Sequence, residues 1–429
     1  MVQSLIHLLR GEILALRTSS LARNAGWMLV GQGLSLLLQA AFFVLLARLL
    51  GVREYGVFAG AFAFVGIATP FCTLGSGLLF MRYVSARPST YAVYWGNILL
   101  STVVAGAALA GVLYFVAPHL LNPASASIVI IVAMGNCVFT QLVATMSFVF
   151  QTFERLQMTA ALNILTNSLR LVAVGIMAAL LPHASARQWA LVSMYISILA
   201  ALVGFLIVTR SYGPPKFVPK ILLSHTWEGL GFSLGWSAQS IYNDIDKTLL
   251  SHYGMNIQNG IYTMAYRIVD VATIPVTAVD AAALPRYFQE QDKSAGRVPV
   301  LGFRLARRAA LIGLLMSGGL FVAAPLIPHL VGHGFTDSVL ALRWLCILPA
   351  MRGIHQLTGS AITGMGFQRF RTVAQFSAAG LNLVLNLGLI PRYGWLGAAW
   401  ASIATDGLLA FVNLLILGWL SKSLRRAHA

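Results

Sequence analysis

The sequence predicts an all-α polytopic membrane protein with about twelve transmembrane helices. Of its 429 residues, 58% are hydrophobic and only 10% are charged, and the mean hydropathy is +0.79. A soluble domain carries about 25% charged residues, so this chain has too few to cover a water-facing surface. Its apolar runs are about 20 residues long, which suits spanning helices, whereas barrel strands would alternate over about ten residues.

Twelve stretches are long and apolar enough to be predicted as spans. They lie at 26–50, 57–81, 93–117, 128–153, 158–181, 189–209, 229–250, 259–284, 309–331, 338–363, 372–391 and 395–420. With the N-terminus inside, Lys and Arg are about four times as frequent in the cytoplasmic connecting segments as in the outer ones. This bias predicts that both termini are cytoplasmic.

The halves of the chain resemble each other, which predicts two pseudo-symmetric six-helix bundles around a central cavity. Gly56 and Ala61 recur as Gly260 and Ala265, and later Pro70 recurs as Pro275. An even number of helices per half makes this a parallel repeat. The predicted parts are a cytoplasmic or interfacial segment 1–25, an N-terminal lobe 26–209, a cytoplasmic linker 210–228, a C-terminal lobe 229–420 and a cytoplasmic tail 421–429.

Pro70 and Pro275 fall within predicted spans, where each proline removes a backbone donor and bends its helix. Helix breakers at corresponding places of two halves point to the binding cleft of alternating-access transporters. The competing interpretation is that proline is simply more frequent in membrane helices than in soluble ones.

Charged residues inside the predicted spans are the candidates for function. An ionisable group in hydrocarbon costs about 2.5–3.5 kcal/mol on insertion scales, so it faces a cavity or pairs with another group. Asp244 and Lys247, and likewise Arg267 and Asp270, are three residues apart and close enough to pair within one helix. Two interpretations stay open: a hydrated vestibule for an anionic substrate, or pairs that only neutralise each other and hold helices together.

Other function classes are disfavoured. The net charge of +17 is concentrated in short loops, as topology predicts, so no nucleic-acid partner is expected. Three cysteines in apolar runs give neither a disulfide framework nor a zinc site. The sequence has no P-loop motif for ATP, and no catalytic triad follows from spacing. We expect no cofactor, no metal and no enzymatic activity.

Several motifs resemble those of bacterial polysaccharide-biosynthesis transporters, the O-antigen type lipid-linked oligosaccharide flippases of the multidrug/oligosaccharidyl-lipid/polysaccharide exporter superfamily. The similarity covers nearly the whole chain. The segments that carry it are Asn24–Trp27, Ala47–Gly51, Glu54–Phe58, Asp246 with Gly260–Tyr262, Leu389–Gly394 and Gly397–Ala399. The resemblance implies two six-helix bundles enclosing a V-shaped cavity in the bacterial cytoplasmic (inner) membrane. It also implies movement of undecaprenyl-diphosphate-linked oligosaccharide, an O-antigen, capsule or exopolysaccharide repeat unit, from the cytoplasmic to the periplasmic leaflet.

A lipid diphosphate crossing the membrane needs fixed cations at depth, and the planar fork of arginine suits phosphate oxygens. We therefore expect substrate binding by Arg267, Lys247, Arg352, Arg170, Asn243 and Gln239. We expect coupling to an H+ or Na+ gradient through Asp246, Asp270, Asp244, Asp280 and Asp406. A monomer in contact with membrane lipids is expected, with glycan polymerases or glycosyltransferases as candidate partners.

Three alternatives compete with the flippase. A multidrug cation antiporter of the same superfamily would need an acidic cavity, whereas the intramembrane set here includes four cations. An integral-membrane glycan polymerase or ligase would need a large outer loop, and no outer loop predicted here exceeds about a dozen residues. A scaffold without transport activity would not need polar helix centres.

Overall fold

The computed structural model describes residues 20–293 and 297–427, and nearly all of this part of the chain is helical, without strands. Its α-helices, numbered in chain order, are α1 Ser20–Ala68, α2 Ser76–Ala86, α3 Tyr91–Leu120, α4 Pro123–Ala126, α5 Val129–Ala133, α6 Gln141–Thr152, α7 Leu156–Leu180, α8 Ala186–Tyr212, α9 Pro219–His252, α10 Asn256–Lys293, α11 Arg297–Ala323, α12 Ile327–Val331, α13 Ser338–Leu345, α14 Leu348–Gly364, α15 Gln368–Tyr393 and α16 Trp395–Ala427. A π-helical segment, Met134–Thr140, joins α5 to α6. Residues 1–19 of the predicted N-terminal segment 1–25 lie outside the described residues. Residues 428–429 of the predicted tail 421–429 also lie outside them.

The all-α polytopic fold is confirmed. Among the described residues, nine helical stretches are long and apolar enough to cross a membrane. One of them, Gly31–Ala86, contains two predicted spans. The predicted span 229–250 lies on α9, where side chains are described only in part, and the span 338–363 is divided between α13 and α14. The nine stretches therefore fit about twelve spans.

Gly51 separates the first two spans within α1. Its φ of 70° and ψ of 170° are not helical. Residues with a side chain rarely adopt this conformation, whereas glycine does so without steric cost. The helix is thus broken at the position where the sequence predicts a short connection between spans.

The second predicted span, 57–81, is interrupted. Helix α1 ends at Ala68, Pro70 lies in a 3-10 turn, and Leu74 and Gly75 have φ angles of 49° and 66° before α2 begins. Pro275 has a different outcome, because it lies inside α10, which continues on both sides of it. One proline therefore accompanies a full break, while its counterpart is accommodated within a helix.

The chain forms two compact units. In its described part, the first comprises residues up to 49, 69–113 and 130–234, and the second comprises 50–68, 114–129 and 235–427. The first is built on an aromatic core that includes Phe80, Trp95 and Phe150. The second has a core of α10, α11, α14 and α16 side chains, with Tyr287 and Leu357 fully buried.

In the second unit, the end of α1 packs against α10 with backbone touching backbone. A Cβ atom added to Gly56 would overlap the carbonyl oxygen of Asn256, and one added to Gly260 would overlap that of Val52. The Asn259 amide donates to the carbonyls of Gly56 and Lys247, both at 3.1 Å. Small residues permit such close helix contact, and this contact holds α9 and α10 in register where they carry their polar residues.

Candidate functional site

Charged side chains from four helices of the second unit converge in one place. We call this group the charge cluster: Asp244, Asp246 and Lys247 on α9, Arg267 and Asp270 on α10, Arg352 on α14, and Asp406 on α16. The sequence predicts all seven as site residues. The structure arranges them as two salt-bridged groups, one around Lys247 and one around Arg352, and the ring of Tyr266 contacts both cations.

Lys247 lies at the α9 end of the cluster. Its Nζ is 3.1 Å from Oδ1 of Asp246 and 3.6 Å from Oδ1 of Asp244, and it donates to the carbonyl oxygen of Asn243. The predicted pairing of Lys247 with Asp244 is therefore present, but the neighbouring Asp246 is closer. Since the side chain of Lys247 is only 4% exposed, these oxygens replace the water that an ammonium group requires.

Tyr262 ties Asp246 to a further helix. Its hydroxyl donates to Oδ2 of Asp246 at 2.5 Å and lies 3.0 Å from Oγ of Ser402 on α16. Asp246 also accepts from the backbone N–H of Lys247 at 2.7 Å. Asp246 therefore receives hydrogen bonds from both α9 and α10.

Arg352 lies at the other end of the cluster, where it contacts three side chains. Its Nη1 is 3.0 Å from Asp270, its Nε is 3.4 Å from Asp406, and its Nη2 donates to the hydroxyl of Tyr266. Asp270 also contacts Arg267 at 3.7 Å, which is the predicted pair within α10. One arginine thereby joins three helices.

His355, one turn beyond Arg352 on α14, extends the cluster. Its Nε2 lies 3.3 Å from Oδ1 of Asp406, but the geometry is not that of a hydrogen bond, and both buried atoms lack a hydrogen-bond partner. Buried polar atoms are nearly always hydrogen-bonded, so this pair leaves donor and acceptor capacity for a water molecule or an ion.

Exposure differs across the cluster. Asp246, Lys247 and Asp406 are at most 3% exposed. The side chains of Asp244, Arg267 and Asp270 are 24%, 28% and 36% exposed. The accessible members of the cluster are therefore Asp244, Arg267 and Asp270, while Lys247 and Arg352 are buried and paired with carboxylates.

The charge of the cluster is close to balanced, with one carboxylate in excess. Asp244, Asp246, Asp270 and Asp406 face the cations Lys247, Arg267 and Arg352. One proton or monovalent cation would neutralise the set when His355 is uncharged. Within the described residues, no group of three or more His, Cys, Asp or Glu side chains is arranged to hold a metal ion.

Other predicted site residues lie apart from the cluster. Arg170 is on α7 in the first unit, where its buried Nε has no hydrogen-bond partner. Asp280 lies further along α10, where it interacts with Ser360 and Arg371. Gln239 lines a small polar pocket between α9, α14, α15 and α16, and Asn243 contributes its carbonyl oxygen to Lys247. Three of the four predicted cations therefore belong to the charge cluster of the second unit, whereas Arg170 belongs to the first unit.

Two tyrosines were missed by the sequence prediction. Tyr262 and Tyr266 both contact the charged groups, and the Tyr266 ring lies between Lys247 and Arg352. The signal was present, since Tyr262, Tyr266 and Asp270 are spaced by four residues and therefore share one face of α10.

Sequence comparison identifies the family. The profile of the family described as polysaccharide biosynthesis protein matches residues 21–291. The chain belongs to this family. An uncharacterized membrane protein of Methanocaldococcus jannaschii is 25% identical over 170 residues, which is 40% of each of the two chains. The match therefore spans less than half the length of that relative.

Solved structures show the same fold. A multidrug resistance MATE family transporter of the MOP superfamily, in an inward-facing conformation, matches with a TM-score of 0.74 and 14% identity over 92% of this chain and 96% of that one. An outward-facing structure of such a transporter matches with a TM-score of 0.58 and 17% identity over 96% and 98%. The polysaccharide-biosynthesis protein thus has the fold of this superfamily of transporters.

Proposed function

We propose that this protein flips undecaprenyl-diphosphate-linked oligosaccharide from the cytoplasmic to the periplasmic leaflet of the bacterial cytoplasmic membrane. Family membership supports polysaccharide synthesis as the process, and the fold supports transport as the activity. Alternating access is the mechanism that this fold class suggests. The substrate would be an O-antigen, capsule or exopolysaccharide repeat unit, and both termini would be cytoplasmic.

The observation that carries the proposal is that the partly exposed Arg267 lies beside buried ion pairs. Its side chain is 28% exposed and lies 3.7 Å from Asp270, a long contact that a phosphate oxygen could outcompete. Arg352 contacts the same carboxylate at 3.0 Å, so Asp270 keeps a partner if Arg267 turns to a substrate. The pair can therefore open without leaving an isolated charge in the membrane.

The excess carboxylate supports ion coupling. A proton or a sodium ion would balance four carboxylates against three cations, and its release would make the cluster negative. A negative cluster attracts a cation and repels a diphosphate. Ion occupancy would therefore change the affinity of the cluster for the lipid diphosphate, and ion coupling requires such a linkage.

A multidrug cation antiporter is the second candidate. The same excess of carboxylates favours it, as does the fold shared with multidrug transporters. The accessible carboxylates Asp244 and Asp270 could receive a cationic drug. The two candidates differ in the sign of the substrate and hence in the role of Arg267.

The test is translocation of a lipid-linked oligosaccharide by the purified full chain in proteoliposomes, with and without an imposed H+ or Na+ gradient. We expect translocation above protein-free vesicles, acceleration by one gradient, and loss of both in R267Q. Export of a cationic dye without oligosaccharide translocation would replace the flippase by the antiporter.

A further inference from the structure

A large apolar groove lies between α15 and α16 in the second unit, outside the charge cluster. Its volume is about 950 Å³, and it is open along one side. Residues along it include Phe367, Phe370, Val373, Leu408, Val412 and Ile416. Phe370 and Leu408 are 41% and 42% exposed, so the apolar lining is open to its surroundings.

A polar pocket of about 70 Å³ lies next to this groove. Ala378 and Leu409 line both spaces, and with Ala374 they form a buried apolar seam. On α15 the two faces are distinct, because Arg371 and Gln375 line the pocket while Val373 and Ser377 line the groove. The groove and the pocket are therefore two sides of one amphipathic site.

The polar pocket has unused hydrogen-bonding capacity. Four of its lining residues each have a buried atom without a partner: the hydroxyl of Tyr242, Nε2 of His355, Oε1 of Gln356 and Oδ1 of Asn413. Its volume fits about two water molecules at about 30 Å³ each. Buried polar atoms rarely stay unpaired, so this pocket is built to hold a polar guest or the water that precedes one.

The charge at this site suits an anion. Arg369 lines the groove near its start and is exposed, and Arg371 lines the pocket. Neither lining includes Asp or Glu, although Asp280 interacts electrostatically with Arg371 from outside the pocket. The charge cluster differs in this respect, since its carboxylates outnumber its cations.

The length of the groove matches one leaflet. From Arg369 to Ala378 the α15 wall extends about 14 Å at 1.5 Å per residue, which is about half of a hydrocarbon core of roughly 30 Å. The sequence predicts that the start of α15 is cytoplasmic, because Arg369 and Arg371 follow the tenth span. A lipid in the cytoplasmic leaflet would then have its head at Arg369 and its tail along the groove.

We propose that this groove binds the polyprenyl tail of the lipid substrate while the exposed Arg369 holds its phosphate. The identity of the lipid rests on the proposed function. Continuity with the charge cluster favours the substrate over bulk phospholipid, because His355 lines the pocket and lies 3.3 Å from Asp406 of the cluster.

Headgroup contacts, rather than the tail, must give this site its selectivity. Lipid tails in the bilayer are as apolar as the groove, so placing a tail there brings no hydrophobic gain. Binding strength therefore depends on Arg369, and the groove determines which tails fit. Both contributions can be measured separately.

The experiment uses the full chain in nanodiscs and a polyprenyl phosphate that carries a diazirine in its isoprenoid chain. We expect light-induced adducts on peptides covering 366–378 and 408–416, competed by unlabelled polyprenyl diphosphate. Adducts found only elsewhere would overturn the proposal. Equal competition by phosphatidylglycerol would also overturn it, since the groove would then hold bulk anionic lipid.

Variants test the two halves of the site. S377W fills the groove, and we expect it to lower adduct yield roughly tenfold, the effect of about 1.4 kcal/mol. V384W is the matched control, because Val384 lies on the same helix beyond the groove and is 66% exposed. R369Q should weaken labelling several-fold, whereas R392Q, at the other end of α15, should not. Unchanged labelling in S377W would reject the groove as the tail site.

The readout separates this inference from the proposed function. Labelling of the groove together with absent oligosaccharide translocation would retain the lipid site and reject the flippase. Translocation that proceeds normally in S377W, without labelling of the groove, would retain the flippase and reject the lipid site. Labelling of the unmodified chain keeps the test valid even if a tryptophan variant fails to fold.

Discussion

The ammonium group of Lys247 lies 4.2 Å from the centroid of the Tyr266 ring. Arg352 approaches the same ring, with its Cζ 5.0 Å from the centroid. An aromatic face attracts cations, and a desolvated contact of this kind contributes about 2 kcal/mol. Tyr266 thus lies between two buried cations that would otherwise repel each other, and it joins the two ends of the charge cluster.

Replacement of Tyr266 separates the contributions of its ring and its hydroxyl. Y266F removes the oxygen that accepts from Arg352, and we expect a loss of about 1.5–3 kcal/mol in the free energy of unfolding. Y266L also removes the ring and should cost about 2 kcal/mol more. Thermal unfolding of the purified chain in detergent measures both. Equal losses in the two variants would show that the ring has no role of its own.

Removal of Lys247 should be strongly destabilising. K247M leaves the buried Asp246 and the partly exposed Asp244 without their nearest cation, and breaking a buried pair from one side costs about 3–5 kcal/mol. The double variant D246N/K247M should recover part of this loss, because the uncompensated charge is removed with its partner. Unfolding measurements that show simple additivity of the two single changes would contradict the pairing.

Removal of Arg267 should act on transport rather than on stability. Its side chain is partly exposed, and exposed ion pairs contribute only about 0–1 kcal/mol. We expect R267Q to unfold near the temperature of the unmodified protein and to lose oligosaccharide translocation in proteoliposomes. R392Q is the matched control, because Arg392 is exposed in the last turn of α15, outside the cluster. Retained translocation in R267Q would reject Arg267 as a substrate contact.

Substitution of Gly56 tests the close packing of α1 on α10. G56A places a methyl group against the Asn256 carbonyl, and forced overpacking costs about 1–3 kcal/mol. In the control G380A, the added methyl group meets no neighbour within 4 Å, so better helix propensity should stabilise the chain by up to about 1 kcal/mol. Opposite shifts in unfolding temperature are expected. A neutral G56A would mean that the two helices can separate without loss.

The sequence predicts partners within a helix better than partners between helices. Spacing alone places Asp244 near Lys247 and Arg267 near Asp270, because residues three apart share a helix face. The contacts of Arg352 with Asp270 and Asp406 join α14 to α10 and α16, and they depend on how these helices pack. Without that packing, Arg352 could only be predicted to need a partner.

The sequence likewise predicts one break in the helical backbone and not the other. The connection at Gly51 follows from the end of an apolar run, whereas the break at 69–75 falls inside one. Pro70 and Pro275 remove the same backbone donor, yet only the segment after Pro70 contains consecutive positive φ angles, at Leu74 and Gly75. Hydropathy reports that a stretch is apolar, and it does not report where a chain of apolar residues turns.

The unequal number of carboxylates and cations around Tyr266 also has an electrical meaning. A site that is neutral with a bound cation and negative without it moves one elementary charge whenever ion binding and release occur on opposite sides of the membrane. Each such charge exchanges about 2.3 kcal/mol with a potential of 100 mV. The resting voltage of the cell would then set how often the site refills, so depolarisation alone would slow turnover even at constant ion and lipid concentrations.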